Sequence, residues 1–356
     1  MRILHVYKDF FPHGGGGVAR HIHGLAVLTA QAGHALRVAA PLADEARESG
    51  YEALRVGILD LWQQIGWANA VHVHGARTPV AAWAAILACL RGRRVIYTPH
   101  CYYDDDPAWS KRFLKRCWDL VVETFLLRTA DRVVLLSAYW QGYLRKRGMS
   151  PARPLLLPNA VLEAGLPSLP VAPPALDGAP ALLSVGRLDV VKRLHDAISV
   201  LSAAGMDKAV LHLVGRGPDR ARLQDFAEAH GLTGRVRFHG FVADADVAAM
   251  AAAADVFVMP SAVEGMPTVL IEMLLLGCPV VASDIPGNRA ILAEVGLHGA
   301  LYPLGDVAAL AACIAAQRRP VAPDTAALVR ADFTWEGIRL RVCDLYDGLA
   351  NQDAVS

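Results

Sequence analysis

The chain has 356 residues, 54% hydrophobic and 19% charged, which is long enough for two domains with full cores and too apolar for a disordered polypeptide. No apolar run approaches the roughly 18–20 residues needed to cross a bilayer; residues 80–90 come nearest and stop at Arg91. The formal charge is +1, yet residues 1–175 hold 20 Lys and Arg against 13 Asp and Glu, while the remainder hold 15 against 21. A basic half joined to an acidic half implies that the first meets something anionic.

Short apolar runs alternate with helical stretches from end to end. In the first half, strands are expected at residues 3–7, 36–40, 70–74, 95–99, 133–137 and 155–158. Most are nearly continuously apolar, as parallel strands buried on both faces should be. An opening strand this early is expected to leave no room for a signal peptide. The six cysteines (Cys89, Cys101, Cys117, Cys278, Cys313, Cys343) show no CxxC spacing and read as reduced cytosolic residues, mostly in the core.

After the first strand comes Asp9-Phe10-Phe11-Pro12-His13-Gly14-Gly15-Gly16-Gly17-Val18. Consecutive glycines let backbone N–H groups approach a ligand closely. Gly14, Gly16 and Ala19 formally fit a dinucleotide fingerprint, but five residues separate Lys8 from Gly14, too many for that tight turn. The loop reads as facing an anion or an acceptor, with a plain flexible loop as the other reading. His72 and His74 place two imidazoles on one strand face, but no third metal ligand is evident, so both read as structural. His21 and His23, two apart on a helix, do not share a face.

Two basic segments follow, Arg91-Gly92-Arg93-Arg94 and Lys111-Arg112-Phe113-Leu114-Lys115-Arg116-Cys117-Trp118. Each mixes positive charge with large apolar residues. A solvated helix face is one reading and contact with an anionic membrane surface the other. No nucleic-acid-binding signature is present, so nucleic acid is not an expected partner. Between them, Asp104-Asp105-Asp106 contains the D-x-D spacing that can hold a divalent metal, although three acids after a strand read better as a solvated turn.

Five prolines (Pro167, Pro170, Pro173, Pro174, Pro180) mark residues 167–180 as a linker between a domain at 1–166 and one at 181–333. In the second domain, strands are expected at 181–185, 210–214, 236–239, 256–259 and 280–283, and a last helical stretch, 334–349, is a candidate to pack back on the first domain. The fold class is α/β, two doubly wound Rossmann-like domains facing across a cleft, with ligands beyond the carboxyl ends of the strands.

Gly186-Arg187-Leu188 and Lys192 follow the first strand of this domain, where two fixed cations could neutralise a departing diphosphate. Gly215 and Gly217 close the next strand, and His239-Gly240-Phe241-Val242 could border a base pocket. Then comes Glu264-Gly265-Met266-Pro267-Thr268-Val269-Leu270-Ile271-Glu272. A helix beginning near Pro267, at a first helical position, would offer unpaired N–H groups to phosphate oxygens, with one acid on either side for sugar and ribose hydroxyls.

Gly16-Gly17, Thr98-Pro99-His100, Leu157-Pro158-Asn159-Ala160-Val161, Gly186-Arg187-Leu188 with Lys192, Val214-Gly215-x-Gly217, His239-Gly240-Phe241 and Glu264 through Glu272 occur in an order and spacing that resemble the retaining GT-B glycosyltransferases of family 4. The resemblance spans nearly the whole chain. It implies a UDP- or GDP-sugar held mainly by the second domain, a glycan or lipid-linked acceptor on the first, and no cofactor or required metal. By the same resemblance Arg187 and Lys192 hold the diphosphate, Glu272 the ribose and Glu264 the transferred sugar. His100 contacts the sugar, and Gly16 and Gly17 flank the phosphate and acceptor. Gly186, Gly215, Gly217, Phe241, Val242, Gly265, Met266, Pro267 and Thr268 complete the donor site. Two departures, Asn159-Ala160 where Asn-Gly is common and Met266-Pro267 where aromatic and glycine residues are common, bear on acceptor and sugar preference.

The expected activity is thus a retaining, metal-independent hexosyl transfer in cell-envelope or exported polysaccharide synthesis. It would occur in the cytoplasm, peripheral at the inner membrane face. A nucleotide-sugar epimerase or hydrolase on a similar fold is the alternative, and a non-catalytic binding protein a third reading.

Overall fold

Runs in which nearly every side chain is apolar become central parallel strands, because helices on both faces leave no wet side to satisfy. In a computed structural model of the chain, the described residues are 1–10, 16–44, 46–48, 50–104, 108–169, 175–317 and 321–353. Residues 11–15 of the glycine loop, Asp105, Asp106, Pro170, Pro173 and Pro174 lie outside them. The chain divides into two compact units, Met1–Val161 with Trp335–Ser356, and Leu162–Thr334.

The first unit holds β1 (Arg2–Val6), β2 (Ala35–Ala40), β3 (Ala46–Glu48), β4 (Tyr51–Arg55), β5 (Ala70–His74), β6 (Arg94–Thr98), β7 (Arg132–Leu135) and β8 (Pro154–Leu156). They form one sheet in the order β3-β4-β2-β1-β5-β6-β7-β8, in which only the β3–β4 pair is antiparallel. β3 and β4 are additions to the strands expected from sequence. Tyr51–Arg55 alternates in burial, as an outlying strand does, and lacks the apolar run that marks the central strands. The helix Gly17–Gln31 packs against both β2 and the C-terminal helix Arg339–Asp353. Gly24 makes room for Trp335: a Cβ there would lie 1.9 Å from the indole nitrogen.

The second unit holds β9 (Ala181–Val185), β10 (Val210–Val214), β11 (Val236–Gly240), β12 (Val256–Met259), β13 (Val280–Ser283) and β14 (Leu301–Tyr302). The order is β11-β10-β9-β12-β13-β14, and every pair is parallel. Strand order therefore reverses between β9 and β12, the position at which doubly wound sheets open a crevice beyond their carboxyl ends. Leu182, Leu211, Leu213, Val256, Val258 and Val281 fill the core beneath it. β14 is only two residues long and carries no periodic signal.

Among the described residues no helix is long and apolar enough to cross a membrane. All six cysteines are free, but the expectation that most are in the core is corrected: only Cys278 is buried, while Cys89 and Cys117 are exposed on helices.

Candidate functional site

The loops after β9 and β10 interlock because three glycines permit it. Gly186 (φ +152°) and Gly215 (φ +131°) adopt backbone that L-residues rarely reach. A Cβ on Gly215 would lie 1.9 Å from the Gly186 carbonyl oxygen, and one on Gly217 would lie 2.0 Å from that of Leu188. Backbone N–H groups of Gly186 and Leu188 donate to Val214 O (2.9 Å) and Arg216 O (3.0 Å). Gly215 and Gly217 thus owe their identity to the neighbouring loop, whatever ligand they meet.

Beyond Gly186 the chain makes a short turn, Val190–Lys192, and Arg193 follows in left-handed backbone (φ +47°). The turn is tied to the loop after β12 by Ala262 N–H donating to Val191 O at 2.8 Å. This brings Lys192 to Glu264, with Nζ 2.5 Å from Oε1 and the carboxylate side chain only 9% exposed. Arg187 points differently. Its Nε lies 3.2 Å from Asp189 Oδ2, and its side chain is largely exposed. Gly186, Arg187, Lys192, Val214, Met259 and Ser261 line one recess at the carboxyl ends of β9, β10 and β12.

Four contributors carried no signal in the sequence. Gly287 packs under the Glu264 loop, where a Cβ would come 2.4 Å from the Glu264 carbonyl oxygen. Asn288 donates to Ser283 O (2.9 Å), and Ser283 Oγ donates to Ser261 O (2.5 Å), which fixes the loop that carries Ser261. The Ser261 hydroxyl is buried without a hydrogen-bond partner and lines the recess, so it is available to a ligand.

The helix behind Glu264 runs Thr268–Leu275, with Pro267 at the cap in extended backbone (φ −76°, ψ 118°) and no side-chain cap bond. The expected first-helical-position proline is therefore a cap residue, one position earlier. Its ring cannot accept the first-turn N–H groups, which keeps that end suited to phosphate. Gly265 leads into buried Met266, Pro267 and Thr268, and Glu272 sits in the second turn, partly buried. Phe241 projects into solvent after β11 with the Arg216 guanidinium 5.8 Å from its ring centroid, and Val242 beside it is half-buried.

In the first unit, Gly16 caps the helix Gly17–Gln31, whose first turn has no acidic residue. His100 follows β6 in left-handed backbone (φ +64°) and is buried at 8% exposure. Its Nε2 lies 3.2 Å from His74 Nδ1, which leaves Nδ1 for any ligand. Asp104 is not a solvated turn acid. Arg77 (2.8 Å) and Arg147 (3.0 Å) both pair with it, and Tyr143 donates to it. Burial alone would raise its pKa, but those three bonds more than offset this and lower it.

Residues 16–160 match the family described as glycosyl transferase 4-like domain, and residues 171–316 match glycosyl transferases group 1. The glycogen synthase of Mycobacterium tuberculosis is 27% identical over 97% of this chain and 94% of its own length. The phosphatidyl-myo-inositol mannosyltransferase of Mycobacterium leprae is 28% identical over 94% of each. Among solved structures, Anabaena Alr3699/HepE in complex with UDP-glucose superposes with a TM-score of 0.78 at 19% identity, over 98% of this chain and 100% of that one, which shows a shared GT-B fold. Two Rossmann-like units, a strand-end recess with Lys192 against Glu264, and family matches over both units lead to one conclusion: the chain belongs to the group 1 glycosyltransferases.

Proposed function

We propose that the chain transfers a hexosyl group, with retention at the anomeric carbon, from a UDP- or GDP-sugar to a glycan or lipid-linked acceptor. The Lys192–Glu264 pair beside the uncapped start of the helix Thr268–Leu275 carries this reading. A diphosphate entering the recess takes Lys192 as a charge partner, and Arg187 swings from Asp189 to supply a second cation. Thr268 and its neighbours present backbone N–H groups to the phosphate oxygens. Glu264 accepts from hydroxyls of the sugar, and Glu272 from the ribose. HepE has been captured with UDP-glucose, which supports the donor class.

The C1–O bond to phosphate breaks as a C1–O bond to the acceptor forms on the same face, and the acceptor proton passes to the departing phosphate oxygen. No residue is asked to form a covalent intermediate. Lys192 and Arg187 stabilise the charge growing on the diphosphate, so transfer needs no added Mg²⁺ or Mn²⁺. His100, through Nδ1, orients the sugar.

The acceptor is proposed to be reached at an anionic membrane face. In the helix Trp109–Trp118 no residue is buried. Trp109, Phe113 and Leu114 are exposed beside Lys111, Arg112, Lys115 and Arg116, and Leu120 and Val121 extend the apolar surface. A helix with this composition gains from both apolar insertion and anionic headgroups. The test of the transfer reading is ¹H NMR of the product from UDP- and GDP-sugars with a lipid-linked acceptor. A product with the donor's anomeric configuration is expected. An inverted product, or donor turnover unaffected by acceptor, overturns the reading.

A further inference from the structure

Five imidazoles meet in the interior of the first unit. Register places His5 of β1 beside His72 of β5, and His74 shares that sheet face two residues on. His21, from the helix Gly17–Gln31, and His100, after β6, close over it, with the His21 and His100 ring centroids 4.7 Å apart. All five rings are buried.

Their partners fix the tautomer of the most informative ring. The Ala160 N–H donates to Asn159 Oδ1 at 3.1 Å, which identifies that atom as the amide oxygen. An oxygen of this kind only accepts, so His21 Nδ1, 2.8 Å away, carries the proton. His21 Nε2 is therefore a bare lone pair, and it is buried with no hydrogen-bond partner. Ligand nitrogens of His21, His74 and His100 all lie within 4.8 Å of one another. His74 Nδ1 and His100 Nε2 are 3.2 Å apart. Two nitrogens on one tetrahedral zinc would be separated by about 3.3 Å, given bonds of about 2.0–2.1 Å.

We propose that His21, His74 and His100 form a buried centre for one divalent transition-metal ion of the zinc class. Three imidazoles without a carboxylate favour Zn²⁺, Co²⁺ or Ni²⁺ over Mg²⁺, Ca²⁺ or Mn²⁺. Outer partners are already in place: Asn159 orients His21, and His5 Nδ1 faces His74 Nε2 at 3.0 Å. With His74 protonated on Nε2 and His100 on Nδ1, the nitrogens these two rings turn to each other are bare, as is His21 Nε2, and binding releases no proton. Burial holds the rings neutral at pH 7, the form that ligates. The neighbouring triad His5, His72 and His74 is the poorer site. Both His72 nitrogens are taken, by Tyr346 (2.9 Å) and Thr98 (2.7 Å).

The full chain, stripped with a chelator and dialysed, is titrated with Zn²⁺ by calorimetry and with Co²⁺ as a spectroscopic probe. One equivalent of Zn²⁺, visible ligand-field bands with Co²⁺ and a Zn²⁺-dependent rise in melting temperature are expected. His21→Gln should abolish all three, and His5→Gln should retain them, with the fold of each variant checked by circular dichroism. The proposal is overturned by a wild-type chain that binds neither ion, by a folded His21→Gln that keeps the bands, or by their loss in a folded His5→Gln alone. None of these readouts depends on sugar transfer.

Discussion

Lys192 Nζ stands 2.5 Å from Glu264 Oε1, across 72 residues of sequence, and Lys192 lines the recess where the donor diphosphate is proposed to bind. The free protein therefore holds the cation proposed to bind the donor phosphate against a carboxylate. A donor must compete for that cation, which gives the two charges opposite effects on nucleotide affinity.

Glu264→Gln removes the competitor while keeping a hydrogen-bonding side chain. Calorimetry should find UDP or GDP bound as tightly as by wild type or more tightly, while turnover falls by about 10²–10³, the scale for losing one preorganised contact in the transition state. Glu272→Gln, at the proposed ribose contact, should instead weaken nucleotide binding. Equal loss of affinity in both variants would contradict the division of roles.

The buried histidines predict acid lability of the metal-free protein. Desolvation is the first cause of each shift; it lowers His5 to about 3 and His21 to about 4, and holds His72, His74 and His100 well below their ordinary value. Unfolded histidines take up protons near pH 6.5, whereas these do so only at lower pH. The stabilisation is complete above about 6.5 and is lost as pH falls toward the folded values. The unfolding free energy from urea titrations should be flat above about pH 7 and then drop, by up to about 1.4 kcal/mol per pH unit for each histidine involved. His21→Gln should give a shallower drop. An unfolding free energy insensitive to pH across that window would contradict the neutral cluster.

Membrane contact should be peripheral and salt-sensitive. Flotation should carry the chain with anionic vesicles at low salt and release it as ionic strength rises, because exposed charges are screened beyond about 10 Å at 0.1 M. Changing Lys111, Arg112, Lys115 and Arg116 to Glu should abolish flotation. Equal partition onto neutral and anionic vesicles would remove the electrostatic part of the account.

Much of the fold is legible in the residues because buried parallel strands have no polar face to conceal them. β5, β9, β10, β12 and β13 begin and end where their apolar runs do. Tyr51–Arg55 and Leu301–Tyr302 escape notice because one alternates and the other is too short for any period. The candidate recess is legible where a charged residue follows such a strand, as Arg187 and Lys192 do, and both line it. Contributions made by tertiary approach are not: nothing near Gly287 signals the backbone of Glu264 2.4 Å from its absent side chain. The same holds for His72 and His74, whose sequence offers no third imidazole. Sheet register supplies His5, and helix packing supplies His21.

The donor site itself is tested most directly at Lys192. Lys192→Ala should weaken UDP- or GDP-sugar binding in calorimetry and cut kcat by about 10²–10³. The melting temperature of the free protein should fall, because Lys192→Ala leaves the largely buried Glu264 carboxylate without its partner, so the fold of the variant is checked by circular dichroism. Arg187→Ala should act in the same direction. A Lys192→Ala protein that binds the nucleotide sugar and turns it over at the wild-type rate would contradict the account.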